Sequence, residues 1–264
     1  MDLHVVSGGI GKQIAFTSIL NKLKEKVCVA SAFPKIFEDI SFIEEVYPFP
    51  SLENPVNRIT YNSFENIKHV EPYFNNFLKG DRHIIDAYHE CYNLNCDGLY
   101  HNCDFSAEQI HYYSKFIDEL EDFILVQFTG SDKTNSLVMS RNLNDKTAQE
   151  VINIINHDLK LKVIDVNDGQ SRYENVFVPR KPVEYREYLL MMRYCKSFIS
   201  IDSCLNHMSA YKNRPVGGVC LWRDKDYAKL FSYPHNSNIM SDLPLKMNFK
   251  SQIVVDNLQD ILKG

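Results

Sequence analysis

A polar segment late in the chain, SIDSCLNHMSA from Ser200, has the residue types of an anion-binding turn. Its apolar run ends at Asp202 and Ser203, Cys204 follows, and His207 comes shortly after them. A strand that turns directly into a helix presents free backbone N–H groups and the side chains of the turn to one place, which suits an anionic ligand. Asp202 as an ordinary helix cap and His207 as a buried histidine explain part of the same segment.

A second turn, QFTGSDK, follows an apolar run, Phe123 to Phe128. The hydroxyls of Thr129 and Ser131 and the amide of Gly130 can donate hydrogen bonds to phosphate oxygens, and Lys133 can neutralise their charge. Taken alone, the segment is equally well explained as an ordinary Asp/Ser/Gly turn.

A third turn, SGGIGKQ, lies close to the N-terminus. Gly9 and Gly11 allow the backbone to approach a ligand, and Lys12 supplies a cation. The segment is not a P-loop, because Gln13 follows the lysine where that motif needs Ser or Thr, and it does not fit G-x-G-x-x-G. A small nucleotide kinase is therefore disfavoured, and a plain strand-to-helix turn remains an alternative.

The elements around these turns alternate between strands and helices. Strands are predicted at LHVVSG, VCVASA, FILVQF, KLKVIDVND, SFISID and VGGVCLW, and helices at IGKQIAFTSILNKLKEK, RHIIDAYHECYNL, DKTAQEVINIINHDL, VEYREYLLMMRYC and LNHMSAYKN. Asp145 is placed to cap the third helix, residues 41–80 are predicted to be irregular, and the tail SQIVVDNLQDILKG reads as a strand-like piece and an amphipathic helix. This alternation predicts an α/β protein with parallel sheets, whose ligands bind beyond the carboxyl ends of the strands.

The strand–helix pattern starts afresh near residues 115 to 122, which predicts two lobes. We place them at 1–118 and 119–250, and we treat 251–264 as a C-terminal helix that could pack back on the first lobe.

Composition and charge restrict the class of protein. The chain of 264 residues is 44% hydrophobic and 24% charged with a net charge of −5. It has no apolar run near the roughly 20 residues of a membrane span and no leader pattern, so we expect a cytoplasmic protein without membrane insertion. From Arg172 to Lys229 there are 11 Lys and Arg against 6 Asp and Glu, an excess that favours a confined anion site over solvated helix faces alone.

Seven scattered cysteines, an odd number, predict reduced thiols rather than a disulfide framework. The segment HECYNLNCDGLYHNC contains His89, Cys91, Cys96, His101 and Cys103 but lacks the tight Cys or His pairs of zinc sites. We therefore expect no metal.

Taken together, the three turns resemble the bacterial heptosyltransferases, ADP-heptose-dependent glycosyltransferases of lipopolysaccharide core synthesis with the two-lobed GT-B fold. The family pattern near the C-terminus is Asp-Thr-Gly, two residues, His and a helix before Pro-Val. Asp202, Ser203, Cys204, His207 and the segment NRPV keep this register without a gap. The resemblance implies a GT-B-like fold of two Rossmann-like lobes, with a shortened N-terminal, acceptor-side lobe at 1–118 and a nucleotide-sugar-binding lobe at 119–250.

The resemblance also assigns donor-binding roles. It implies that Ser203 and His207 hold the donor diphosphate, with assistance from the amides around Cys204 and with Asp202 in the same turn. Elsewhere in the chain, further donor-side positions are implied: Gly9 and Gly11 of the N-terminal turn, the turn residues Thr129 and Gly130, the phosphate-binding Lys133, and a ribose-binding acid that is Asp165 or Asp168.

The N-terminal turn departs from the family. Its Gly-x-Gly-Asp pattern corresponds to Gly9, Gly11 and Lys12, so that a lysine replaces the aspartate considered to be the general base. A lysine is an ammonium at neutral pH and abstracts a proton only when strongly desolvated. Lys12 could instead bind an anion, and Asp86 and His83 are alternative bases by residue type.

These observations predict a metal-independent glycosyltransferase that moves a sugar from a nucleotide-diphosphate sugar, used as co-substrate without a further cofactor, to an acceptor hydroxyl. The acceptor could be a glycan or a hydroxymethylated base in DNA. The alternative is a non-catalytic module that binds a nucleotide sugar or phosphate and has lost its base.

Overall fold

The computed structural model describes residues 1–48, 64–69, 72, 82–130, 141–166, 171–177, 184–243 and 247–264. The chain divides into two compact units, Met1–Ala107 and Glu108–Gly264, and each is described by itself. Helix α3 (Ala107–Asp118) starts at this boundary and lies in the second unit from Glu108 onward, where its Gln109 Oε1 is 3.5 Å from Nη2 of Arg186.

The first unit is built on a parallel sheet. Its described strands are β1 (Asp2–Val6), β2 (Val27–Ser31), β3 (Ile43–Pro48) and β4 (Asn66–Lys68), in the order β3-β2-β1-β4. Helix α1 (Ile10–Phe16) and a 3-10 helix (Thr17–Lys22) connect β1 to β2, which confirms the predicted β-α-β opening, and α2 (Ile84–Cys91) follows. β3 and β4 correct the prediction that residues 41–80 are irregular. β3 is partly exposed and β4 is exposed at all three residues, and neither has a buried apolar run, so their sequences carry little strand signal.

The second unit contains another parallel sheet. Its strands are β5 (Phe123–Gln127), β6 (Lys162–Asp165), β7 (Ser197–Ile201), β8 (Val219–Trp222) and β9 (Ser237–Met240), in the order β6-β5-β7-β8-β9. Besides α3, its helices are α4 (Asp145–Ile154), α5 (Tyr185–Tyr194), α6 (Cys204–Met208), α7 (Lys225–Phe231) and α8 (Ser251–Lys263). Every residue of β5, β7 and β8 is buried, as expected for parallel strands covered on both faces. The predicted α/β class with two parallel sheets is confirmed.

Local details of the second unit differ from the sequence prediction. The cap of α4 is Asn144, whose Oδ1 accepts from the Lys146 amide at 2.9 Å, and Asp145 is the first helical residue. Neither α7 nor β9 was predicted. The tail is one helix without a preceding strand, because its valines belong to a helical stripe, and it packs in the core of the second unit through three buried residues, Val254, Val255 and Leu258.

Candidate functional site

The strand order of the second unit creates a topological switch point beside β5. The chain runs from β5 to β6 on one side of it and then to β7 on the other side. In open parallel sheets the crevice at such a reversal, beyond the carboxyl ends of the strands, is where ligands bind. The turns that follow these strand ends are 128–130 after β5 and 202–204 after β7, so the structure brings together two of the three turns found in the sequence.

Gln127, the last residue of β5, ties these two turns together. Its side-chain oxygen accepts hydrogen bonds from the hydroxyl of Ser203 and from the backbone N–H of Leu205, the latter at 3.3 Å. The Cys204 thiol lies 3.5 Å from the same oxygen, and the hydroxyls of Ser203 and Ser200 are 3.0 Å apart. Gln127 was not predicted from the sequence. The signal for it is a polar residue that closes an otherwise apolar buried strand.

Two arginines that were also not predicted act on Asp202. Nη1 of Arg141 is 3.3 Å from the Asp202 carbonyl oxygen and 3.4 Å from its Oδ2. Burial raises the pKa of Asp202, and the guanidinium groups of Arg141 and Arg223 oppose this rise. Arg223 follows β8 directly, and its Nε is 3.6 Å from Asp224 Oδ2. Asp202 is not the cap of α6, because Ser203 occupies the N-cap position and makes no side-chain capping bond. The strand ends thus carry cationic groups suited to an anion.

His207 lies on the buried side of α6. It is 5% exposed, and its Nδ1 is 2.8 Å from the hydroxyl of Tyr233. The rings of Tyr233 and Phe231 stand edge-on to the imidazole. Burial raises the pKa of Tyr233, so its hydroxyl stays protonated and can fix the imidazole in one tautomer.

A buried polar network anchors α6 to the segment that follows α7. Nδ2 of Asn206 donates to the Phe231 carbonyl at 2.7 Å, and its Oδ1 accepts from Asn236 Nδ2 at 3.0 Å. The hydroxyl of Ser209 lies 3.0 Å from His235 Nε2 and donates to the Asn206 carbonyl. These bonds satisfy the polar groups beneath α6 and hold its position against the sheet. None of them was predicted, because the partners are separated in sequence.

The turn after β5 is held by Asn142 and Leu143, which lie shortly before α4. The amide of Gly130 donates to Asn142 Oδ1 at 2.8 Å, and the Phe128 carbonyl accepts from the Leu143 amide at 2.9 Å. Thr129 lies between them and is buried. Lys133, the predicted phosphate-binding lysine, lies outside the described residues.

Asp165 ends β6, the neighbour of β5 on the side opposite β7. Its Oδ2 accepts from the Ser171 hydroxyl at 2.9 Å, and it is paired in register with Val126 of β5. The structure therefore places Asp165 at the same edge of the sheet as Thr129 and Ser203. Asp168, the other candidate for the ribose-binding acid, lies outside the described residues.

In the first unit, Lys12 folds back over the turn at the end of β1. Lys12 is 6% exposed, and Gly8 has the left-handed φ of +91°. A Cβ on Gly8 would lie 3.0 Å from Lys12 Cδ and 3.1 Å from its Nζ, so it would push the lysine side chain aside by a few tenths of an ångström, and the left-handed φ favours glycine in addition. Gly9 caps α1 with open space around it, and Gly11 lies inside the first turn of the helix.

The two alternative bases have local hydrogen-bond partners. His83 is the N-cap of α2, and its Nδ1 accepts from the Ile85 amide at 3.2 Å. Asp86, in the first turn, hydrogen-bonds the Cys96 thiol. That bond adds to burial in raising the pKa of Cys96 to about 11. Both residues therefore have a structural role whatever else they do.

Across the described part of the chain the seven cysteines are free thiols, and no group of three or more His, Cys, Asp or Glu is placed to hold a metal ion. Among the helices within the described ranges, none is both long and apolar enough to cross a membrane.

Comparison with known proteins gives similarity in structure only. No protein-family model matches the sequence, and no curated protein matches it. The glycosyl transferase family 9 protein from Veillonella parvula aligns over 99% of this chain and 97% of its own, with a TM-score of 0.69 and 12% identity. E. coli ADP-heptose LPS heptosyltransferase II aligns over 100% of this chain and 99% of its own, with a TM-score of 0.67 and 12% identity. The E. coli heptosyltransferase solved with ADP aligns over 99% of this chain and 98% of its own, with a TM-score of 0.63 and 8% identity.

These structures are GT-B glycosyltransferases, so the fold predicted from the resemblance is confirmed. At 8 to 12% identity the similarity establishes the fold and leaves substrate and residue roles to be argued from the chain itself.

Proposed function

We propose that this chain is a glycosyltransferase that transfers a sugar from a nucleotide-diphosphate sugar to an acceptor hydroxyl. The observation that carries the proposal is the switch point beside β5, where hydroxyl, amide and guanidinium groups meet at neighbouring strand ends. A GT-B fold places a nucleotide-binding lobe in the C-terminal half, and the second unit has the sheet and the polar strand ends for that task.

The second unit would bind the donor through its diphosphate. Breaking the bond between sugar and phosphate builds negative charge on the leaving nucleoside diphosphate, and fixed donors and cations stabilise that charge. The hydroxyl of Thr129, the guanidinium of Arg141 and the imidazole of His207 are described groups of the right type. The Ser203 hydroxyl donates its one proton to Gln127 Oε1, so it would turn from that oxygen to the phosphate when the donor binds. Lys133 completes the set by the resemblance. Stabilisation by these groups needs no metal ion.

Asp165 would hold the nucleoside ribose. Its carboxylate is at the end of β6, one strand away from the proposed diphosphate site, and a carboxylate is the usual partner of ribose hydroxyls in such folds. The hydroxyl of Ser171 orients it.

Lys12 would bind an anionic group rather than remove a proton. Its ammonium lies against the turn at the carboxyl end of β1, and a protonated amine cannot act as a general base. The acceptor's proton would then be taken by another carboxylate or histidine. Asp86 and His83 remain the candidates by residue type, although both are engaged in local bonds.

The acceptor is proposed to be a glycan, with a hydroxymethylated DNA base as the other candidate. The excess of basic residues between Arg172 and Lys229 favours a polyanionic partner. Binding to DNA that weakens steeply with salt would favour the nucleic acid.

The first experiment is a thermal-shift titration with ADP, UDP, GDP and CDP, followed by a transfer and hydrolysis assay with the matching nucleotide sugars in the presence and absence of EDTA. We expect one diphosphate to stabilise the chain and its sugar derivative to be turned over equally with EDTA. Binding without any turnover would favour the non-catalytic module instead.

The residue-level test compares two serines of one strand and its turn. Ser203→Ala removes a hydroxyl at the carboxyl end of β7, and Ser197→Ala removes one at the amino end, where it donates to the Gly217 carbonyl at 2.8 Å. A hydrogen bond to a charged group contributes about 1.5–3 kcal/mol, so Ser203→Ala should lower diphosphate affinity roughly 10-fold or more. Equal affinities of the two variants would reject the proposed site.

A further inference from the structure

The side-chain amide of Gln127 has one end engaged and the other end available. Three donors converge on Oε1, namely the Ser203 hydroxyl, the Cys204 thiol and the Leu205 amide. An amide nitrogen has no acceptor capacity, so these donors determine which end of the side chain is the oxygen. Nε2 is therefore the opposite end, and it makes no hydrogen bond within the part of the chain that the structure describes.

The surroundings of Gln127 define what Nε2 could bind. Gln127 is 8% exposed and closes β5 at the switch point, so its amide lies between two strand ends. The N–H groups of such an amide can donate to a ligand that binds at these strand ends. Arg141 faces the same turn, where its Nη1 donates to the Asp202 carbonyl and pairs with the Asp202 carboxylate. The other N–H groups of the guanidinium can donate to an anionic ligand.

We infer that Nε2 of Gln127 is a further binding residue, which donates a hydrogen bond to a phosphate oxygen of the nucleotide-diphosphate sugar. This inference rests on the proposed function. It gives the glutamine two tasks at once, because Oε1 holds the Ser203 turn in place while Nε2 contacts the ligand.

The alternative is that Gln127 only holds the turn and does not contact the ligand. The variant Gln127→Glu distinguishes this role from phosphate binding. A carboxylate retains an oxygen for the same three donors and accepts from them at least as well as an amide does. It replaces the free N–H donors by a second oxygen that repels an anionic ligand. A glutamine that only holds the turn, with its amide away from the phosphate, would therefore tolerate the change, whereas a glutamine whose N–H lies against a phosphate oxygen would not.

The experiment measures binding and unfolding of the wild-type chain, Gln127→Glu and Gln252→Glu. Gln252 is an exposed residue of α8, so its variant controls for the added negative charge. The probes are the nucleoside diphosphate that gives the largest thermal shift among ADP, UDP, GDP and CDP, and the corresponding nucleoside without phosphates.

We expect Gln127→Glu to bind the diphosphate at least roughly 10-fold more weakly, to bind the nucleoside as the wild type does, and to unfold at an unchanged or higher temperature. Gln252→Glu should bind both probes as the wild type does and unfold at a slightly lower temperature, because it loses the hydrogen bond to Asp256 Oδ1 and places two carboxylates one helical turn apart. If Gln127→Glu keeps the wild-type affinity for the diphosphate, or loses affinity for both probes equally, the inference is overturned while the proposed function stands. If the wild type binds none of the four diphosphates, the proposed function fails, and the inference fails with it.

Discussion

Gly218 offers the sharpest test of how the strands that carry the site are packed. It precedes β8, where its amide donates to Asn236 Oδ1 at 3.2 Å. A Cβ at this position would lie 2.2 Å from Cδ1 and 2.3 Å from Cε1 of Phe198, which is fully buried in β7. Carbon atoms in contact are about 3.5–4.0 Å apart, so Gly218→Ala must displace the ring or the strand by more than about 1 Å.

The expected magnitude follows from that displacement. Overpacking a core by a methyl group costs about 1–3 kcal/mol, and we expect the upper end because the ring has no exposed side toward which to move. Since β7 leads directly into Asp202 and Ser203, a shift of the strand should also weaken binding of a nucleoside diphosphate. The cost is steric, because Gly218 does not have a positive φ.

The assay is urea unfolding at neutral pH of Gly218→Ala, Phe198→Val and the double variant. Shortening the phenylalanine removes the clashing ring atoms, so the double variant should be more stable than the sum of the single effects by at least about 1 kcal/mol. Gly9→Ala is the matched control, because a Cβ there meets no atom within 4 Å, and its cost should stay within about 1 kcal/mol. Strict additivity, or a loss below about 1 kcal/mol for Gly218→Ala, would refute the packing described here.

Three further outcomes are expected. Tyr233→Phe keeps the aromatic ring and removes the hydroxyl that fixes the buried imidazole of α6, so diphosphate affinity should fall roughly 2- to 10-fold with an altered pH dependence in titration calorimetry. Burial lowers the pKa of both His4 and His235 to about 4. Between about pH 6.5 and pH 4 the unfolded chain therefore binds more protons than the folded chain, and the folded state loses stability as the pH falls. Urea unfolding across this range should show a decrease in the free energy of unfolding of up to about 3 kcal/mol per histidine. Gly8→Ala should displace Lys12 and reduce transfer activity by more than about 10-fold, while urea unfolding shows a loss of only about 1–2 kcal/mol.

Each of these outcomes has a control. Tyr227 also packs against Phe231, and Tyr227→Phe should leave the diphosphate affinity unchanged. If Tyr227→Phe lowered that affinity as much as Tyr233→Phe does, the role of Tyr233 would be contradicted. His4→Phe keeps an aromatic ring beside Tyr92 and should flatten the loss of stability in acid, so an unchanged pH profile would count against the burial of a neutral His4. Lys12→Met should match Gly8→Ala in activity, and full activity of Lys12→Met would rule out its anion-binding role.

Much of the fold was predictable because parallel strands buried on both faces leave a clear sequence signal. The apolar runs of β5, β7 and β8 are of this kind, and so is the βα repeat that leads to two sheets. The edge strands β3 and β4 were not predictable, because their exposed faces carry mixed residues. The predicted cap of α4, Asp145, is wrong by one residue. Asn144 and Asp145 are both good capping residues, and only the backbone geometry decides between them.

The sequence by itself determined the residue types at the strand ends, the glycines of the N-terminal turn SGGIGKQ, and the lysine that stands where the resembled family has an aspartate. It did not determine which strand ends are neighbours. Only the tertiary structure placed β7 against β5, and with it Ser203 against Gln127, Arg141 against Asp202 and a buried His207 against Tyr233. The physical reason is that local periodicity records which side of an element is buried, whereas strand order depends on long-range packing between segments far apart in the chain.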